Sequence, residues 1–195
     1  MRTTAIMLVL LCAFALAGAQ SLPSTSLNKG AWDFGVSATG GHSVSGGVGD
    51  VGIFSAGFRV GKILTEEHGS GWYRGNLEYA FDVHPVNLYL LDPENVYGAS
   101  FAPINFKWNF TKGHRVAPYF QWSEGVLFTD KDLPFPGTSQ VNFQSGLGLG
   151  MHIFTRQKRA VTAEVKYQHI SSAGLGDLNP GINTVQFTLG YNWFK

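Results

Sequence analysis

The sequence predicts an all-β fold, an eight-stranded antiparallel transmembrane β-barrel. Three observations predict it. Gly, Pro, Asn and Asp clusters cut the chain into about eight strand-sized segments, near 31–40, 51–64, 71–82, 99–111, 115–128, 141–155, 159–171 and 182–194. Several segments alternate an aromatic or aliphatic face with a face of amides, charges and glycines. Their connections also alternate, with tight turns at 112–115 and 156–159 and longer links at 83–98, 129–140 and 172–181. Short turns at one end and long loops at the other are the habit of outer-membrane barrels. A soluble sandwich alternates as well, but its apolar faces point inward and its polar faces meet water.

The chain begins with Arg2, an apolar run from Ala5 to Ala17, and the small-residue site Ala17-Gly18-Ala19. This order reads as a secretory leader over 1–19, cut after Ala19, leaving 20–195 as one barrel domain. The run is shorter than the roughly 20 residues a membrane helix needs. Cys12 lies inside the leader behind a bulky Leu11, which does not suit lipidation, and no cysteine follows it. The mature chain therefore has neither disulfides nor a cysteine metal site. A net charge of +1 gives no electrostatic reason to expect nucleic acid. The 25 glycines and 15 phenylalanines suit strands with an aromatic exterior. A chain without a membrane helix crosses a bilayer only as a closed barrel, because lipid leaves unpaired backbone groups unsolvated.

The later strands carry the clearest alternation. In 104–110, Ile104, Phe106, Trp108 and Phe110 oppose Asn105, Lys107 and Asn109. In 141–155, Val141, Phe143, Leu147, Leu149, Met151 and Ile153 oppose Asn142, Gln144, His152 and three glycines. In 159–171, Val161, Ala163, Val165 and Tyr167 oppose Thr162, Glu164, Lys166 and Gln168. In 182–194, Val185, Phe187, Leu189, Tyr191 and Trp193 oppose Thr184, Gln186, Thr188 and Asn192. The polar faces are expected inside, where Arg59, Arg74, Glu78, Lys107, Glu164 and Lys166 have one another as partners. Gly146, Gly148 and Gly150 are expected to make room in that interior; no helix follows them, so they are not a phosphate cradle. The histidines at 42, 68, 84, 114 and 152 lack ligand spacing, so no metal or other cofactor is expected. Asn109-Phe-Thr111 matches a glycosylation sequon, which carries no meaning if the protein is bacterial.

The segment "YQHISSAGLGDLNPGINTVQF" (167–187) breaks the pattern. The parity of Val161 through Tyr167 puts His169 and Ser171 on the lipid-facing side, near the outer-leaflet end. There, polar groups lose water without an evident partner. A nucleophile and its base serving a lipid substrate would account for them. The same spacing also fits rim residues that reach headgroup water.

His169-Ile-Ser171-Ser-Ala173-Gly174, followed by Asn179-Pro180-Gly181-Ile-Asn183, resembles the C-terminal signature of outer-membrane lipid A 3-O-deacylases. The motif covers about 20 residues, and the strand pattern extends the likeness loosely over the chain. The resemblance implies an eight-stranded barrel in the bacterial outer membrane that hydrolyses the 3-O-linked acyl ester of lipid A. It implies Ser171 as nucleophile and His169 as general base. It further implies Asn179 as an oxyanion-hole donor, with backbone amides near Ala173 and Gly174. The chain departs from the pattern twice: Ser172 follows the nucleophile where the family has Asn, and Asn183 holds the acidic position fourteen residues after the histidine. Parity puts Asn183 on the outward face of the eighth strand, near the same rim, where a side-chain oxygen can accept from the imidazole. Asp177 is the other candidate for that part. The expected partners are lipopolysaccharide and other membrane lipids of the outer leaflet, with a homodimer left open. A non-catalytic barrel with an envelope-structural or adhesive role is the alternative reading.

Overall fold

In the computed structural model, which describes residues 27–113 and 115–195, eight antiparallel strands close into one barrel. They are β1 (Trp32–Val44), β2 (Gly52–Ile63), β3 (Gly75–Leu90), β4 (Val96–Phe110), β5 (Val116–Leu133), β6 (Ser139–Arg156), β7 (Arg159–Ser171) and β8 (Ile182–Phe194). Each strand pairs with its sequence neighbour, and β1 closes on β8 from Asp33↔Phe194 to Val44↔Asn183. Closure leaves no edge, so every strand's backbone groups find partners without water. The leader expected over 1–19 lies outside the described residues.

Strand bounds differ from the sequence reading in the middle of the chain. Residues 71–73 form a 3-10 turn, and β3 begins only at Gly75. The expected links 83–98 and 129–140 shrink to 91–95 and 134–138, because β3, β4 and β5 run on past them. The reason is a set of irregular pairings between Tyr79 and Asp82, between His84 and Asn87, and between Phe101 and Ile104. A bulge inserts a residue and inverts the alternation beyond it, so a strict period of two loses the strand there.

The barrel shows its apolar side outward. Val36, Phe54, Phe58, Phe81, Leu149 (66% exposed), Val165, Val185, Phe187 and Leu189 all lie open on it. Rows of rings cross neighbouring strands: Tyr79–Phe106–Trp122 and Phe81–Phe101–Phe128, with centroids 5.4 to 6.3 Å apart. An apolar surface of this extent is one that lipid covers.

The interior has three layers. At the end bearing the termini and short turns, Leu27, Ile63, Ala117, Phe154, Ala160 and Phe194 pack together. At the opposite end Val51, Ile53, Tyr89, Val96, Leu127, Leu133, Ile170 and Ile182 form a second cluster. Between them lies a polar layer. Arg59 donates Nε and Nη2 to the two oxygens of Asp82, both at 2.7 Å, and Nη2 also reaches Gln121 Oε1 at 2.7 Å. Lys107 Nζ stands 3.2 Å from Glu78, 3.6 Å from Asp33 and 3.3 Å from His152 Nε2. Asp33, Glu78 and His152 gather as metal ligands would, but the Lys107 ammonium occupies the centre of the group and supplies its positive charge. Since Nζ only donates, His152 Nε2 accepts, and Nδ1 gives its proton to Thr162 Oγ1 at 2.8 Å. Tyr119 donates to Glu164 at 2.9 Å.

Arg74 is not part of this layer. It pairs with Glu67 in the link before β3, its Nε donating at 2.7 Å, because the chain enters β3 only after that residue. Gly146, Gly148 and Gly150 face inward as expected. A Cβ on Gly150 would meet the Tyr119 hydroxyl at 2.5 Å, and one on Gly148 would meet the Glu164 carboxyl carbon at 3.0 Å.

Candidate active site

The site is built where β7 and β8 meet the end of the barrel that bears the 172–181 loop. His169 and Ser171 alternate with buried Gln168, Ile170 and Ser172, so both stand on the outer wall. Same-face neighbours on a strand are two rises apart, about 6.8 Å, within the span of an imidazole reaching along the strand.

His169 pairs directly across the ladder with Asn183. Its Nδ1 lies 2.6 Å from Asn183 Oδ1. Asn183 Nδ2 is turned the other way, 3.5 Å from the Ser45 carbonyl oxygen, which fixes which end of the amide meets the histidine. With a carbonyl oxygen as its partner, Nδ1 carries the proton. In the neutral ring Nε2 is then left with a free lone pair. Asp177 stands exposed in the loop, and the imidazole is bonded to Asn183 instead.

The loop after β7 turns back through Ala173 and Gly174, both left-handed at φ +51° and +84°, with Leu175 N donating to Ser172 O at 3.1 Å. Two successive left-handed residues make a tight primed turn, tolerable for glycine and costly for alanine by about 1–2 kcal/mol. Among the described residues the amides of Ala173 and Gly174 have no acceptor.

Asn179 folds back on the turn: its Oδ1 accepts from Ser172 N at 3.0 Å and from Ser172 Oγ at 3.1 Å. With Oδ1 committed, the donor end Nδ2 remains for another group. The same cleft is lined by Ser171, Ser172, Asn179, Pro180 and Gly181.

Two residues that sequence reasoning did not single out complete the arrangement. Ser172, noted only as a departure from a pattern, is buried and anchors Asn179. Gly181, at φ +68°, lies against the imidazole, and a Cβ there would be 2.9 Å from His169 Cε1. Its signal was an isolated glycine after Pro180, which gives a turn but not the ring it faces.

A closed barrel with an apolar outer wall defines a small outer-membrane protein, and on that wall His169 and Asn183 are bonded on the face that also carries Ser171. The sequence profile of the lipid A 3-O-deacylase (PagL) family matches residues 52–192, which include every residue of this group. The chain belongs to that family; it is an outer-membrane ester hydrolase of the lipid A deacylase kind. A comparison with curated proteins returned no match.

Among solved structures, the outer membrane enzyme PagL aligns over 80% of this chain and 97% of its own, with a TM-score of 0.58 and 20% identity. Neisserial surface protein A aligns over 85% and 99%, with a TM-score of 0.55 and 14% identity. OprG from Pseudomonas aeruginosa aligns over 86% and 97%, with a TM-score of 0.52 and 11% identity. At such identities these likenesses concern the fold, the small outer-membrane barrel.

Proposed function

We propose that the protein removes the 3-O-linked acyl chain of lipid A from the outer leaflet by a Ser171/His169 mechanism, after export through a leader cut at Ala19. The observation that carries this reading is the 2.6 Å bond between His169 Nδ1 and Asn183 Oδ1. It holds the imidazole in the tautomer whose Nε2 accepts a proton from a neighbouring hydroxyl.

Nε2 takes the Ser171 proton as Oγ bonds to the ester carbonyl carbon. The carbonyl π electrons move onto its oxygen, which accepts hydrogen bonds from the Ala173 and Gly174 amides and Asn179 Nδ2. Collapse breaks the bond to the sugar oxygen, which leaves with the proton from the imidazolium. Water then repeats the cycle on the acyl-serine, releasing a fatty acid and regenerating Ser171. Asn183 orients the imidazole without a negative charge, so it stabilises the imidazolium less than a carboxylate would.

The apolar residues beside Ser171 suit an acyl chain. Across the ladder from it run Phe143, Val126 and Phe101, in direct register on β6, β5 and β4. Mass spectrometry of lipid A incubated with the folded protein tests the reading. Wild type should release one 3-O-linked chain. Ser171→Ala and His169→Asn should each lower the rate by about a thousandfold or more while leaving heat-modifiable migration in SDS unchanged. Full activity in either variant would remove that residue from its role.

A further inference from the structure

Glu124 is a carboxylate on the wrong face. It lies on β5 between buried Ser123 and Gly125, so it points outward with Trp122 and Val126 on either side. Among the described residues it is the one acidic side chain on the outer wall away from the strand ends; Asp130 and Asp132 stand near the loop end of β5. A charge facing the hydrocarbon is costly, and such residues persist where they serve a site.

Its surroundings are ordered. Glu124 Oε1 receives Ser145 Oγ at 2.6 Å and the Trp122 indole N–H at 2.9 Å. Among the described residues Oε2 has no partner. Both donors meet one oxygen, which leaves the other turned to whatever lies against the wall.

The register places this carboxylate in the row of the site. Ile104, Glu124, Ser145, His169 and Asn183 are direct partners across β4 to β8. Glu124 is two strand spacings from His169, roughly 10 Å. The rows on either side are apolar: Phe101, Val126 and Phe143 lead to Ser171, and Phe106, Trp122 and Leu147 lead to Tyr167. An acyl chain fits the apolar rows, and a polar part of the same molecule fits the row between them.

We propose that Glu124, held by Ser145 and Trp122, is a recognition subsite that accepts a hydrogen bond from an amide N–H or hydroxyl of the glycolipid whose ester lies on Ser171. The free Oε2 is an acceptor, so the subsite suits an uncharged, donor-bearing part of the sugar or its hydroxyacyl chain rather than a phosphate. The proposal rests on the Ser171/His169 reading above.

The test compares wild type, Glu124→Ala and Glu124→Gln on lipid A in detergent micelles and on a p-nitrophenyl fatty-acid ester that lacks sugar donors. Glu124→Ala should lower the ratio of kcat/KM between lipid A and the simple ester by at least about tenfold, as expected for one hydrogen bond to a charged acceptor, with the change in KM. Glu124→Gln keeps an acceptor oxygen and should stay within about threefold of wild type. An unchanged ratio, or an equal fall on both substrates through kcat, overturns the proposal, the latter because it would place Glu124 behind His169.

Equilibrium binding of lipid A to Ser171→Ala, with and without Glu124→Ala, separates the two readings. Weaker binding in the double variant supports the subsite, and equal binding overturns it. Turnover by Ser171→Ala bears on the nucleophile alone.

Discussion

Asn183 puts a neutral amide where the resemblance leads one to expect an acidic residue. Asn183→Asp keeps the shape and puts a carboxylate 2.6 Å from His169 Nδ1. It should raise the deacylation rate on the order of tenfold, since about 1.4 kcal/mol of barrier corresponds to that factor. The same change removes the donor facing the Ser45 carbonyl and sets two oxygens against each other, so urea unfolding should show a loss of about 1 kcal/mol. Asn183→Ala frees the ring to turn and should lower the rate by at least about tenfold. Rates measured on lipid A at matched folded levels decide between them, and equal rates in all three proteins would remove Asn183 from the site.

At the scale of the element, the 172–181 loop is pinned rather than loose. Leu178 N donates to Gly137 O at 3.0 Å, Val48 N donates to Gly181 O at 2.9 Å, and Asn179 holds Ser172. Gly176 is the tightest point, where a Cβ would lie 1.7 Å from the Thr138 carbonyl oxygen. Gly176→Ala must therefore push the loop off the 134–138 link and carry the Ala173 and Gly174 amides with it. The expected outcome is a fall of about tenfold to a hundredfold in kcat with unchanged heat-modifiable migration; an unaltered kcat would show that the loop's position does not matter to turnover.

The elements also show what could be read from the chain beforehand. β7 and β8 keep alternation through the site, so the outward faces of His169 and Asn183 were legible from parity alone, while their direct pairing is a matter of register that the structure supplies. β5 was not: Ala117, Tyr119 and Leu127 are buried while Phe120, Trp122 and Phe128 face lipid, so both faces read as apolar. Without a polar face to mark the inside, nothing in the sequence showed Glu124 to be outside. The end clusters were hidden for a related reason, since Ile170 and Ile182 are apolar residues at inward positions of strands that are otherwise polar within.

For the whole molecule, the polar layer is a network in which each charge depends on another. Lys107 is fully buried between Asp33, Glu78 and His152, and its removal strands two carboxylates in the interior. Lys107→Met should therefore cost about 3–5 kcal/mol of barrel stability, read as a lower urea midpoint in lipid vesicles. Replacing Glu78 and Lys107 together by Gln and Met should cost less than Lys107→Met alone, because the pair leaves as a unit. A double variant no more stable than the single one would show that the two charges are not coupled.

The clusters that close both ends of the barrel have an electrical meaning. A space of about 60 Å³ in the polar layer is lined by Arg59, Asp82, His84, Glu164 and Lys166, and apolar clusters lie beyond it at either end. A hydrated ion entering this axis would have to shed its water against side chains that offer nothing in return. The wall is thus an insulator as well as a scaffold. Copies can accumulate in an envelope without raising its conductance, and the leaflet they modify keeps its barrier to small solutes while the chemistry proceeds along the outside.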